Sequence, residues 1–214
     1  MPTLAEKADP RKAAIIVVDV QNDFCHEDGS SAKNARGPGE GLQRAMISTL
    51  NHLIDEGRRY GLPVVFIQTT HSPETDSEVW SERRHEREHY TCLDGTWGAE
   101  FYGVVPTPGD VIVNKHRYSA FTGTNLDELL KSRDIGSVIV TGVVTGVCVE
   151  STAREAFWRD YYAIIASDCC GASSRAAHEE ALERMERSFA TLATAEEIIS
   201  SWSHKTARVE EITV

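Results

Sequence analysis

Residues 138–155, VIVTGVVTGVCVESTARE, constrain the fold of this chain more than any other stretch. They open with an apolar, β-branched run over 138–141, the pattern of a buried strand. Gly142 and Gly146 then mark a tight turn. From Val147 the spacing becomes helical, with Val149, Ala153, Ala156 and Phe157 recurring on one face. The pattern therefore sets Cys148 in the first turn of a helix that follows directly on a buried strand. A thiol there lies near the positive end of the helix dipole and close to unpaired backbone N–H groups. Both favour thiolate over thiol. The alternative is a small buried hydrophobe, the common state of a single cysteine.

The same alternation of strand and helix runs through the rest of the chain. Residues 13–18 (AAIIVV) form a continuous apolar run that ends abruptly in Asp19, followed by VQNDF. A carboxylate at the carboxyl end of a buried strand stands where open α/β sheets place their ligand crevices. Residues 29–41, rich in Gly, Ser and Asn, read as a loop. Leu42, Met46, Leu50, Leu53 and Ile54 then recur at helical spacing as far as Gly61, and 63–68 (PVVFIQ) is a second buried strand. Residues 69–109 are polar and irregular, a long connection of the kind that often carries function. A strand at 110–114 leads into Lys115, and a short helix at 126–130 takes Thr124 or Asn125 as its cap. After the strand at 136–141 come a strand at 162–166, a helix at 175–189 and a short strand at 190–192. A last helix runs to Trp202, with Thr194 and Glu197 as the capping box at its start. Six strands alternating with helices imply an α/β fold with a mostly parallel sheet covered on both faces. No internal repeat and no second hydrophobic pattern is visible, so the expectation is one domain over 1–214 with its core at about 13–202.

Charge and cysteine usage exclude several function classes. With 22 basic and 33 acidic residues the formal net charge is −11, which argues against a nucleic-acid or anionic-membrane surface. No apolar run approaches the roughly 18 residues that span a bilayer, and the first residues lack the apolar core of a signal peptide. Cys25, Cys92, Cys148, Cys169 and Cys170 are odd in number and lack CxxC spacing, so neither a disulfide framework nor a zinc site is expected. A reducing, cytoplasmic setting fits.

Asp19, Lys115 and Cys148 each stand at or just past the end of a strand, and in a parallel sheet these ends share one edge. Singly, Asp19 reads equally as a turn or cap residue, and Lys115 as a solvated charge. Together an acid, an amine and a thiol are the parts for nucleophilic attack on a carbonyl.

Three motifs in order, DVQNDF at 19–24, KHRYSAF at 115–121 and GVVTGVCVESTAREA at 142–156, resemble those of the isochorismatase-like cysteine hydrolases. The resemblance covers about 13–202. It implies a three-layer, Rossmann-like α/β/α fold with about six strands, and a catalytic triad of Cys148, Asp19 and Lys115. It also implies a non-proline cis peptide linking Val143 to Val144, and an oxyanion hole made of the backbone N–H groups of Val144 and Cys148. Members with an intact cysteine are amidohydrolases, whereas true isochorismatases lack it. Nicotinamidases in the family carry an Asp-x-His metal motif after the second strand. Here that place reads Thr69-Thr70-His71, so no metal and no other cofactor is expected, and His71 is read as a pocket residue. His85 and His89, four apart, read as a solvated face.

The resemblance is greatest to the branch that cleaves ureido and simple amide compounds: ureidoacrylate, biuret and N-carbamoylsarcosine hydrolases. Tyr118 takes the position of a substrate-contacting tyrosine, and Phe24 and Trp97 are further candidates for the pocket wall, with core packing as the alternative for each. Where carbamoylsarcosine enzymes carry a carboxylate-binding arginine this chain has Ser173, with Arg175 close by. Cys169 and Cys170, placed after a strand, border the pocket or are buried. The expected ligand is a small amide or ureido substrate, and the expected assembly a homo-oligomer, by family likeness a tetramer, with Phe189 and Trp202 offering apolar surface. An isochorismatase-type vinyl-ether hydrolase, a nicotinamidase-like amidase and a non-catalytic α/β ligand-binding domain are the alternatives. Against the last, DVQNDF has none of the glycines that let a pyrophosphate approach the backbone.

Overall fold

The computed structural model describes residues 1–34, 39–84 and 90–210. Six strands, β1 (Ala13–Val18), β2 (Val64–Thr69), β3 (Val111–Lys115), β4 (Ser137–Val143), β5 (Tyr162–Gly171) and β6 (Ala190–Ala193), form one sheet in the order β3-β2-β1-β4-β5-β6. Every neighbouring pair is parallel. Each connection therefore crosses over, and the helices that make the crossovers cover both faces.

Burial along β1 shows why the layers number three. All six of its residues are buried, and because side chains alternate, they feed two separate cores. Ala13, Ile15 and Val17 pack with Leu50, Leu53 and Ile54 of the helix Ile47–Arg59 and with Ile198 and Trp202 of the helix Ala195–Glu210. Ala14, Ile16 and Val18 pack on the other side with Leu126 and Leu130 of Leu126–Ser132, Ala153 and Ala156 of Glu150–Trp158, and Met185 of Arg175–Ser188.

Several local expectations change in detail. The helical run from Leu42 is broken into a turn, Leu42–Ala45, and the longer helix Ile47–Arg59. The stretch 29–41 holds a short helix, Ser30–Asn34, and the long connection after β2 holds the helix Glu78–Arg84 and a 3₁₀ turn, Trp97–Ala99. Asn125 is the cap position of Leu126–Ser132, but it is the Thr124 hydroxyl that accepts from Leu126 N, at 3.2 Å. The Thr194–Glu197 capping box is present, with Thr194 N donating to Glu197 Oε2 at 2.8 Å and Glu197 N to Thr194 Oγ1 at 3.2 Å. β5 runs on to Gly171, so Cys169 and Cys170 are inside the strand and buried in opposite cores rather than at a pocket edge. Phe157, expected on the buried face of its helix, is 47% exposed. Trp202 is buried and donates Nε1–H to the Ala8 carbonyl at 2.8 Å, so it packs the core and offers no interface. No helix among the described residues is long and apolar enough to cross a membrane.

A tight approach between two strands sets the site. Gly142 pairs with Val18 across β4 and β1, and a Cβ at 142 would lie 2.0 Å from the Val18 carbonyl oxygen. Its φ of +102° is also open only to glycine. Gly142→Ala is expected to destabilise the protein by at least about 3 kcal/mol, from backbone clash and strained φ together. Urea denaturation checks this; a loss below about 1 kcal/mol would show that β1 and β4 can part freely at this point.

Candidate active site

The carboxyl ends of β1, β2, β3 and β4 supply the residues, and the parallel topology puts them on one edge. Asp19, directly after β1, has φ +53°, a left-handed conformation that aspartate tolerates better than most side chains. Lys115 is the last residue of β3 and Thr69 the last of β2. Lys115 Nζ donates to Asp19 Oδ2 at 2.7 Å, to Thr69 Oγ1 at 2.6 Å and to the Arg117 carbonyl at 2.9 Å. Thr69 Oγ1 in turn donates to Asp19 Oδ1 at 2.9 Å. All three ammonium protons are thereby placed. Asp19 is 0% and Lys115 1% exposed, so this is a fully buried ion pair. Burial opposes the Lys115 charge, yet Asp19 holds its pKa above the ordinary 10.5.

Cys148 belongs to a π-helical turn, Thr145–Val149, that joins β4 to Glu150–Trp158. Its thiol lies beside the Asp19–Lys115 pair, close enough for both charges to act on it. Burial pushes its pKa upward, Lys115 pulls against that, and Asp19 adds to the rise; the net direction is well above the usual cysteine value. The helix-end preference for thiolate is therefore outweighed, because the sulfur is desolvated and faces a carboxylate. The Val143–Val144 bond just before the turn is cis.

DVQNDF also shapes the surroundings. Gln21 Nε2 donates to the carbonyls of Thr69 (2.8 Å) and Ala99 (2.7 Å), while its Oε1 accepts from Thr69 N at 2.8 Å. Asp23 accepts from the Ser30 and Cys92 amides at 2.8 and 2.6 Å. These buried bonds pin the long connection after β2 against the end of β1.

A cavity of about 220 Å³ opens onto Cys148, Lys115, Thr69 and Val144. Phe24, His71 and Tyr118 line it. Trp97 does not: its ring stands edge-on to His26 at 5.0 Å and borders a separate shallow depression with Asp23 and Tyr90. The 3₁₀ turn that carries it is held from outside the cavity by Asn22 Nδ2, which donates to the Trp97 carbonyl at 2.8 Å. Arg175 is likewise absent from the cavity wall; its guanidinium is exposed, 3.9 Å from Glu179. His71 Nδ1 is 2.8 Å from Asp76 Oδ1, and its ring stacks on Trp80 at 5.3 Å. Among the described residues no cluster of three or more His, Cys, Asp or Glu side chains is arranged to hold a metal; His85 and His89 lie outside the described residues.

The isochorismatase domain profile matches residues 13–197. The chain belongs to the isochorismatase family. It is 29% identical over 215 aligned positions to a ureidoacrylate amidohydrolase of Pseudomonas syringae pv. syringae (strain B728a), covering 91% of this chain and 85% of that one. Among solved structures, a cysteine hydrolase from Pseudomonas syringae pv. phaseolicola 1448A superposes with a TM-score of 0.81 at 25% identity, covering 92% and 94% of the two chains. An N-carbamoylsarcosine amidase from Thermoplasma acidophilum gives 0.72 at 30% identity, covering 86% and 96%.

Thr69, Trp80, Arg83 and Arg117 are among the residues of the site that escaped the sequence reading of this family member. Thr69 carries the same signal as Asp19, a polar residue at the carboxyl end of an apolar strand. Trp80, Arg83 and Arg117 also line the cavity; the first two sit in the Glu78–Arg84 helix, where no apolar periodicity marks an inward face.

Removing one partner of a buried ion pair strands the other, at a cost of about 3–5 kcal/mol. Lys115→Met should lose that much stability in urea denaturation, and Lys115→Met with Asp19→Asn should lose less than the sum of the two single changes. Strict additivity would contradict the coupling. The pH sign follows from the raised Lys115 pKa: the pair's contribution is intact below about 10.5 and drains away as pH rises further. For the thiol, the rate of Cys148 alkylation by iodoacetamide should climb about tenfold per pH unit between about pH 7 and 9. A plateau near pH 7 would mean a thiolate at rest.

Proposed function

We propose that this protein is a cysteine amidohydrolase that cleaves the C–N bond of a small amide or ureido substrate and releases ammonia through a Cys148 thioester. The observation that carries the reading is a buried thiol that shares a cavity of about 220 Å³ with Lys115, itself ion-paired to Asp19. Family membership and the amidohydrolases among its relatives support it.

The high thiol pKa decides the order of events. A thiol whose pKa is raised needs a base at the moment of attack, and Asp19 is the neighbouring carboxylate able to take the proton. The substrate carbonyl carbon sits next to the sulfur, its oxygen directed to the Val144 and Cys148 amides. Asp19 accepts the thiol proton as the C–S bond forms. It then protonates the departing nitrogen as the C–N bond breaks, and ammonia leaves. Water, losing a proton to Asp19, attacks the thioester; the C–S bond breaks and the proton returns to sulfur. Lys115 keeps Asp19 oriented and offsets its charge, while Thr69 fixes the second carboxylate oxygen. Thr69 occupies the place of the metal-binding aspartate of nicotinamidases, and its hydroxyl is already engaged by the pair. The proposed scheme accordingly assigns no step to a metal.

A screen of small amides and ureas for ammonia release tests the proposal. For any substrate found, Cys148→Ala should lower kcat by at least about a thousandfold, since no covalent route remains. Circular dichroism of the variant should be unchanged. Ammonia release from Cys148→Ala at the wild-type rate would overturn the scheme.

A further inference from the structure

Two buried polar groups close to Cys148 in the chain have no part in the chemistry above. Thr145 opens the π-helical turn and is 0% exposed; Glu150 follows directly on the turn and is 8% exposed. Buried polar side chains need partners, and both find one on the same helix, Arg175–Ser188. A hydrogen bond of 2.9 Å joins Thr145 Oγ1 to His178 Nδ1. Arg184 holds Glu150 with a fork, Nε donating to Oε1 at 3.0 Å and Nη2 to Oε2 at 2.6 Å, and Arg154 Nη2 donates to Oε1 at 2.8 Å. Between these contacts a Cβ at Gly146 would lie 3.3 Å from the Ala181 Cβ. Positions 178, 181 and 184 are three apart, so one face of the helix meets the turn at three points.

The turn is poorly built to keep its own shape. Val149 N reaches the Val144 carbonyl at 3.4 Å, and Val147 N takes the same oxygen at 2.9 Å. A long bond to a shared acceptor constrains a π-turn weakly. Covering the sheet does not explain polar side chains at 178 and 184, because Ala181 and Met185 already bury the apolar side of the helix. Nor do His178, Ala181 and Arg184 line the cavity at Cys148. Whatever they do for the reaction therefore passes through the turn.

We propose that His178 is a positioning residue for Cys148. Acting through the Thr145 hydroxyl, with the Arg184–Glu150 fork bracing the other end, it locks the turn against the helix Arg175–Ser188 in the pose that aims the sulfur at a bound carbonyl. The inference rests on the amidohydrolase reading for the step it serves, but not for the geometry it maintains.

The test is a double-mutant cycle in ammonia release, with any substrate that the wild-type protein hydrolyses. His178→Leu and Thr145→Val should each lower kcat about five- to tenfold, the range of one lost hydrogen bond. KM should stay within about threefold, since no cavity wall is changed. The double variant should be no slower than the slower single one to within about twofold, because the two side chains act as one unit. His178→Asn, which returns a polar atom near the Nδ1 position, should recover most of the rate. Losses that multiply in the double variant, an unchanged kcat, a loss mainly in KM, or an Asn variant as slow as the Leu variant would overturn the proposal. Circular dichroism checks folding; should His178→Leu not fold, Thr145→Val and His178→Asn carry the test on the same criteria. If no compound releases ammonia, the amidohydrolase reading fails for those compounds and hydrogen exchange decides the positioning role. Amides in the peptide 143–150 should then exchange at least about fivefold faster in Thr145→Val than in the wild type, with those of β1 unchanged. Equal exchange over 143–150 would overturn it.

Discussion

The buried ion pair between Asp19 and Lys115 is the interaction on which the rest depends. Taking two charges out of water costs several kcal/mol each, and their attraction recovers this only where the remaining protons and lone pairs are also satisfied. Here they are: Thr69 closes the triangle, and the Arg117 carbonyl takes the third ammonium proton. A well-packed apolar trio would serve stability as well. What the charges provide is an electrostatic environment for Cys148. Burial first, and the nearby carboxylate after it, raise the pKa of the sulfur, and in the proposed scheme the same carboxylate takes its proton when a carbonyl arrives.

Parallel strands explain how residues 19, 69, 115 and 148 meet. Side chains that end β1, β2 and β3 emerge along one edge, and register does the rest: Val18 pairs with Ile67, and Thr69 with Lys115. β4 brings the cysteine turn to the same edge, through the tight approach of Gly142 to Val18. Gln21 and Asp23 then fasten the long connection after β2 over the opening, which turns a sheet edge into a walled cavity. The two cores fed by alternate residues of β1 make this edge rigid, as pre-organised chemistry requires.

What was legible in the sequence was what periodicity and strand ends encode. All six strands, the parallel sheet and the meeting of Asp19, Lys115 and Cys148 follow from apolar runs that stop at a polar residue. The raised pKa of Cys148 does not, because helix-end position argues for thiolate and only three-dimensional burial, with Asp19 nearby, reverses it. Trp97 was misplaced for a related reason: an aromatic in an irregular loop carries no facing information, and here the turn points it outward against His26. Trp80 and Arg117 line the cavity but were illegible, because neither sits in a periodic pattern that marks an inward face.

The central claim is that Asp19 moves the proton that lets Cys148 attack. Its most direct test is intact-protein mass spectrometry of acid-quenched reactions, wild type against Asp19→Asn, using any substrate that releases ammonia. The account predicts an acyl adduct on the Cys148 peptide of the wild-type protein. It predicts none on folded Asp19→Asn over the same interval. An adduct forming on Asp19→Asn at the wild-type rate, or one carried by a different cysteine, would contradict it.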